Sequence, residues 1–360
     1  MSKPFTTHGL KMTQLFEKAA VFTDIHFGKK SDSEEHNQDC LDYIDWFCSK
    51  VNETNSDTII FMGDWFDNRS MLRVDTVDYS WQAIQRLLDT KRKIFWLVGN
   101  HDMYFKLHRG VHSIPYIQGI EQITLVNEIT EIDDVLLCPW LTGDESEEIP
   151  KYNSKYVFGH FELPLFLLNE KVSMKDTGEG IHADHFENNT MVFSGHFHTR
   201  QMQVNKHNVP IWYIGNCFPH DFNDVNDSDR GCMTLAWGEE PEFHNWDDAP
   251  NYFRISMSEL PEYVESGKIH EFNKKTIIEC VDDTDNDIED IIGIREALDD
   301  SIRDFRVKPK RKEYQQDTET KLEDGLTVDQ MVVDYLYKTD TEESKFDTEL
   351  LVKLYQDLTI

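Results

Sequence analysis

Five times between residues 19 and 198 a short apolar run stops abruptly and is followed at once by residues able to bind a metal ion. The runs are AAVFTDIH (19–26), DTIIFMGDWFD (57–67), KIFWLVGNHD (93–102), KYVFGHFE (155–162) and MVFSGHFH (191–198). Four or five apolar residues bounded by glycine read as a buried strand. Between the first runs lie helical patterns: Leu41, Ile44, Phe47, Cys48 and Val51 share one face, and so do Val77, Trp81, Ile84 and Leu88. Strand–helix–strand alternation predicts an α/β sheet with helical cover. Later runs (DVLLCPW, IWYIGN, CMTLAW, YFRIS) follow one another with few helices between, which predicts a more antiparallel second half.

A chain of 360 residues has room for one large domain and a smaller one. Residues 1–18 read as a loosely attached extension and 19–254 as the main domain. The composition shifts near residue 255, and 255–305 reads as a small domain in which TIIEC (276–280) forms a strand and Ile288–Phe305 a helix. Residues 306–325 read as a charged linker, and 326–360 as two amphipathic helices, with Val328, Met331, Val332, Tyr335 and Leu336 on one stripe and Leu350, Leu351, Leu354, Tyr355 and Leu358 on the other.

The charge excludes one class. With 36 Lys+Arg against 68 Asp+Glu, the formal net charge is −32. A protein that reads nucleic acid unaided leans on basic residues to neutralise phosphate. An enzyme that meets phosphate through metal ions, or is carried to DNA by a partner, remains open. The six cysteines include no CxxC pair, and there is no apolar leader or membrane-length apolar run. Free thiols in a reducing compartment are expected, with a cytoplasmic location and no membrane contact.

The residues behind the five runs form one ordered set: Asp24-x-His26, Gly63-Asp64, Gly99-Asn100-His101-Asp102, Gly159-His160 and Gly195-His196-x-His198. In an open α/β sheet the carboxyl ends of strands converge on the functional crevice. Mixed oxygen and nitrogen ligands suit Mn²⁺, Fe²⁺ or Zn²⁺, whereas Mg²⁺ and Ca²⁺ favour oxygen alone. One such histidine alone reads as a structural residue; the ordered set reads as a metal centre.

D-x-H, G-D-x-x-D, G-N-H-D, G-H and G-H-x-H, in that order, resemble the calcineurin-type metallophosphoesterase superfamily. Within it the chain most resembles the nuclease subunits that partner SMC-like ATPases, SbcD in bacteria and the recombination endonuclease subunit of tailed phages. The likeness is densest over residues 19–237, in GDWFDNR (63–69), IFWLVGNHD (94–102), GHFEL (159–163) and SGHFHT (194–199), with weaker support from YIGN…DRG (213–231). Many cellular members carry a histidine where this chain has Asp67, and the phage type looks closer there.

The resemblance implies an α/β sandwich of two mixed sheets flanked by helices, with a small α+β capping domain and a C-terminal helical pair. It implies two divalent ions, with Mn²⁺ preferred: Asp24, His26 and His198 for the first, Asn100, His160 and His196 for the second, and Asp64 bridging them. A bridging carboxylate holds two cations about 3.5–4 Å apart, a clamp for both the attacking and the leaving oxygen of a phosphodiester. His101 is then free to protonate the leaving oxygen, with Asp102 as the partner of its ring. Asp67 and Arg69 are read either as substrate contacts or as a local ion pair, and Glu162 and His185 as lining the site.

The implied function is DNA exonuclease and endonuclease activity in recombination, repair and end processing. The implied partners are DNA, an SMC-like ATPase gripped by the C-terminal helices, and a second copy of the chain. Pairing of the two copies is assigned to Val74–Leu88 and Met103–Ile117, where Trp81 and Tyr79 are either anchors or core. In a virus the location becomes the host cytoplasm. A phosphoprotein phosphatase of the same fold, and a scaffold that has lost the chemistry, are the alternatives. Lys308-Pro-Lys-Arg-Lys312 reads as solvated linker or as a contact to DNA or ATPase. The remaining histidines, His36 and His220 among them, match no motif and read as structural.

Overall fold

The computed structural model describes residues 14–169, 172–225, 227–268, 272–282, 301–309 and 350–353, together with Arg295, Leu298 and Thr348. The chain divides into two compact units, residues 1–310 and 311–360. In the second unit the described residues are helical, and most of the expected helical pair lies outside them.

The first sheet has four parallel strands, β1 (Lys18–Phe22), β2 (Thr58–Phe61), β3 (Lys93–Leu97) and β6 (Ile123–Val126). It is extended at the β1 edge by antiparallel β15 (Gly231–Ala236) and β16 (Glu242–Asn245). The second sheet has a parallel centre of β8 (Val135–Cys138), β9 (Tyr156–His160), β12 (Met191–Gly195) and β14 (Pro210–Tyr213). Antiparallel β7 (Thr130–Ile132) and β13 (Gln201–Val204) close its two edges. Two hairpins stand outside the sheets, β4 (Met103–Phe105) with β5 (His108–His112) and β10 (Leu167–Asn169) with β11 (Val172–Ser173).

The second half is therefore not mainly antiparallel, as its sequence suggests. Parallel strands need a crossover, but here the crossovers are loops and 3₁₀ turns (Gly143–Lys151 and Ala183–Phe186) that leave no helical period to read.

Alternate side chains of each strand enter different cores. Ala19, Val21, Ile60, Met62, Phe95 and Leu97 meet Leu137, Phe158 and Phe193 between the sheets. Phe22, Phe61 and Trp96 point the other way. They lie under α2 (Glu34–Glu53) and α3 (Val74–Asp89); α2 is entered through α1 (Lys29–Asp32), a turn that is left-handed at Lys30 and Ser31. Leu136, Val157, Val192 and Tyr213 form a third core on the far face of the second sheet. Among the described residues no helix is long and apolar enough to cross a membrane.

The buried stripe of α3 is Thr76, Ser80, Ala83, Ile84 and Leu87, one residue out of phase with the apolar pattern. Polar contacts set the phase. Buried Trp65 donates its indole N–H to Ser80 Oγ (2.7 Å), and Asn37 donates to Thr76 Oγ1 (3.0 Å). Val77 is left half-buried and Trp81 exposed.

A third, all-parallel sheet joins β17 (Asn251–Ser256), β18 (Thr276–Asp282) and β19 (Asp304–Pro309), with α4 (Leu260–Glu265) beside it. Phe305, expected in a helix, and the first four residues of the expected linker belong to β19. Only Phe305 and Val307 of that strand face the small core, too few for a readable alternation. Lys308, from the basic run, pairs with Glu279 (3.4 Å). The third sheet is tied to α2 by Arg303, whose guanidinium grips both oxygens of Asp39 (2.7 and 2.8 Å).

Residues 14–18 are not a loose extension. Phe16 is 2% exposed and packs on Tyr156, Phe158 and Trp237. Truncating such a ring costs about 3–5 kcal/mol. Phe16→Ala is therefore expected to lower the urea midpoint clearly, whereas Val74→Ala, at a position 88% exposed, leaves it in place.

Candidate metal centre

All five polar clusters meet where the carboxyl ends of the two sheets converge. Asp24 and His26 follow β1, Asp64 follows β2, Asn100 and His101 follow β3, His160 ends β9, and His196 and His198 follow β12. The strand exits are sharp. Asp24, His26, Asp64 and His196 all lie in the left-handed region, with φ of 54°, 54°, 62° and 87°. Few non-glycine residues adopt it, so their surroundings must hold them there. Glycine is required where the β2 and β3 loops touch: a Cβ at Gly63 would stand 2.8 Å from Gly99 Cα, and one at Gly99 would strike Asp64.

Two groups of ligand atoms combine the expected ligands, Asp24 with His26 and His198, and Asp64 with His160 and His196; a third joins His26 with Asp67 and His101. Asp24 Oδ1 lies 3.7 Å from His26 Nε2 and 3.8 Å from His198 Nε2. Asp64 Oδ2 lies 3.7 Å from His26 Nε2 and 3.4 Å from His160 Nε2, so this one carboxylate faces both groups. Asn100 Oδ1 sits between His160 Nε2 (2.9 Å) and His196 Nδ1 (3.1 Å).

The residues fit divalent cations. His26 is 2% exposed, and neither ring nitrogen has a hydrogen-bond partner among the described residues. The carboxylates around it stand beyond hydrogen-bond reach. A buried polar atom left unpaired costs about 1–3 kcal/mol; a shared cation would satisfy both nitrogen and oxygen.

The charges are tightly linked. Burial pushes the Asp64 carboxyl up, but the charge and hydrogen bond of His160, with His101 and His26, hold it well below the usual range. Burial likewise raises Asp24, and His160, His26 and His198 outweigh it, so its carboxyl lies low. His160 responds in the opposite sense: burial lowers it, but Asp64 and Asp24 raise it to about 9. Burial keeps His198 well below its ordinary value.

Asp102 does not touch the His101 ring. Its two oxygens accept the amide hydrogens of Asp64, Trp65 and Gly99, each at 2.9 Å. The orphan amides of the strand exits claim the carboxylate, and burial with Asp64 nearby raises it to about 7. His101 is held otherwise. Its amide N–H donates to Asp64 Oδ1 (2.8 Å), and its Nδ1 meets the Asp67 carbonyl oxygen (2.6 Å). That contact assigns the hydrogen to Nδ1 and leaves Nε2 free.

The Asp67 side chain stands 3.6 Å from His26 Nδ1 and 3.4 Å from Lys29 Nζ. Its ion pair is thus with Lys29; Arg69 is half-buried and makes no ion pair among the described residues. Glu162 lies 3.6 Å from His196 Nε2, and the nearness of that ring lowers its carboxyl. His185 is not drawn in, because its Nδ1 accepts the His182 amide hydrogen (2.8 Å). Two residues without a motif do reach the centre: His36 Nε2 contacts the His26 carbonyl oxygen (3.0 Å), and the His220 ring lies against His26 and His198. No spacing in the sequence marks either one.

Residues 18–200 match the Calcineurin-like phosphoesterase family. The chain belongs to this family. Its members are phosphoesterases that use divalent metal ions. The chain is similar to exonuclease subunit 1 of Enterobacteria phage T4, 27% identical over 230 residues. That alignment takes in 61% of this chain and spans 65% of the relative's length. Among solved structures it is similar to a dimetal phosphatase from Danio rerio, with 9% identity, TM-score 0.41, and coverage of 63% of this chain and 95% of that one. A second is the nuclease MPE of Pseudomonas putida, with 16% identity, TM-score 0.33, and coverage of 62% and 87%.

The geometry sets two expected outcomes. Below about pH 9 the His160 imidazole carries a proton that an entering ion must displace. Mn²⁺ affinity should therefore rise with pH up to about 9, with proton release near neutrality in calorimetry across buffers of different ionisation enthalpy. Uptake without proton release would contradict a protonated His160 in the metal-free site. Asp102→Asn, which turns one acceptor toward the amides into a donor, should lower thermal stability by about 1–3 kcal/mol. Unchanged stability would show that the three amides do not depend on it.

Proposed function

We propose that the chain is a two-metal-dependent DNA phosphodiesterase, the nuclease subunit of an SMC-like ATPase–nuclease complex serving recombination and repair. The observation that carries the two-metal reading is Asp64, whose Oδ2 faces His26 on one side and His160 on the other. Asp24, His26 and His198 would hold the first ion, Asn100, His160 and His196 the second, and Asp64 both; Mn²⁺ suits this mixed set. When bound, the ions supply positive charge at the scissile phosphate and activate water at neutral pH.

The chain's own residues do the rest. Asp102 fixes the peptides of Asp64, Trp65 and Gly99, and so aims the shared carboxylate. His101, with its Nδ1–H held by the Asp67 carbonyl, presents Nε2 to the leaving oxygen and would donate a proton there as the imidazolium, ending as the neutral ring with its hydrogen on Nδ1. Asp67 and Lys29 rim the same side as substrate contacts.

DNA as substrate is supported by the phage relative, an exonuclease subunit, together with the motif resemblance. The acidic surface fits an enzyme that is delivered to DNA by a partner. The ATPase contact is assigned to residues 326–360, most of which lie outside the described residues. Pairing of two copies is supported by Met71, Val74, Leu107 and Val111, large apolar residues left exposed on and beside α3 and on the β4–β5 hairpin. A reducing, intracellular setting fits the six cysteine thiols.

The test is Mn²⁺-dependent cleavage of an end-labelled oligonucleotide, with a phosphopeptide offered in the same buffer. His101→Ala should cut the DNA rate by about 100-fold or more. Intact DNA with a dephosphorylated peptide would replace this reading with a phosphoprotein phosphatase.

A further inference from the structure

The chain leaving β14 passes directly behind the first ligand group. The Asn216 amide N–H donates to the His198 carbonyl oxygen (3.1 Å), and the Cys217 thiol donates to that of Thr23 (3.1 Å). This places the His220 ring edge-on to His26 (5.5 Å between centroids), His198 (5.3 Å) and His36 (5.4 Å). His220 is 1% exposed, and neither of its ring nitrogens has a hydrogen-bond partner among the described residues. The buried side-chain amide of Asn216, in the same segment, is equally unpaired.

The arrangement is built rather than incidental. Arg230, itself buried, donates to the His198 carbonyl oxygen and pairs with Asp224 (3.2 Å) and Asp227 (2.7 Å). Asp224 in turn accepts the His220 amide hydrogen (2.7 Å). One arginine thus fixes the backbones of both histidines. Two orphan nitrogens in a ring this deeply buried are costly unless a polar species shares the space. The ring stands behind His26 and His198, not among the atoms that cluster with Asp24. That is the distance of a group acting through the hydration shell of an ion, not of a direct ligand. An imidazole ring has two nitrogens available for hydrogen bonding.

We propose that His220 is a positioning residue for the first ion, its ring nitrogen hydrogen-bonding to the hydration shell of the cation held by Asp24, His26 and His198. The proposal rests on the two-ion reading above. The test is a Mn²⁺ titration of the metal-free full chain by calorimetry, with the spin-coupled Mn²⁺ signal followed by electron paramagnetic resonance. His220→Phe keeps the ring packing and removes both nitrogens; His220→Gln keeps a donor and an acceptor.

The wild type is expected to take two ions. His220→Phe should keep one at unchanged affinity, bind the other about 10–100-fold more weakly and lose the coupled signal at limiting metal. His220→Gln should fall between. Equal affinities in the wild type and His220→Phe would overturn the proposal and leave the two-ion reading standing. A wild type that takes fewer than two ions would overturn that reading itself. Should metal-free His220→Phe melt below the wild type, His220→Gln carries the test: weakened binding of one ion supports the proposal, and wild-type binding overturns it.

Discussion

One buried carboxylate organises this molecule. Asp64 is 1% exposed, sits at the end of a central strand of the first sheet, and faces His160 from the second. Taking a charge out of water costs several kcal/mol, and the cost is recovered only with close opposite charge and satisfied hydrogen bonds. Much of the architecture around the crevice supplies those conditions. His160 is held protonated by Asp64 and Asp24, the His101 amide donates to Asp64 Oδ1, and Asp102 secures the peptide on which Asp64 stands. Bound cations would take over the role that the His160 proton plays in their absence.

The sandwich makes this meeting possible. Alternating side chains divide each central strand between two cores, so the strands are buried on both faces and are held rigidly. Their carboxyl ends are then fixed points that present ligands from five strand ends, with left-handed turns after β1, β2 and β12. The contact between Gly63 and Gly99 brings two of those loops closer than any side chain would allow. Beyond the ligands, the Arg230–Asp224 pair and the Trp65–Ser80 hydrogen bond hold the next layer in place.

Short-range pattern was legible in the sequence. The five runs marked the places of β1, β2, β3, β9 and β12, because a buried strand must be apolar throughout, and a glycine stands at or near the end of all but β1. The seven proposed ligands could be named for the same reason. Features that depend on contacts between distant residues were not legible. The direction of β8, β9, β12 and β14 is set by irregular crossovers. The phase of α3 is set by Trp65 and Asn37. Asp102 serves three amides from two loops instead of the ring beside it, and His36 and His220 arrive from segments that carry no motif. The mismatch at Phe16 has the same origin, since its partners Tyr156 and Trp237 lie far along the chain.

Anomalous diffraction at the manganese edge, from crystals of the full chain grown with Mn²⁺, would show directly whether Asp64 is shared between two ions. Two peaks are expected, one beside Asp24, His26 and His198 and one beside Asn100, His160 and His196, with Asp64 in contact with both. A single peak, or two that do not share Asp64, would contradict the two-metal centre.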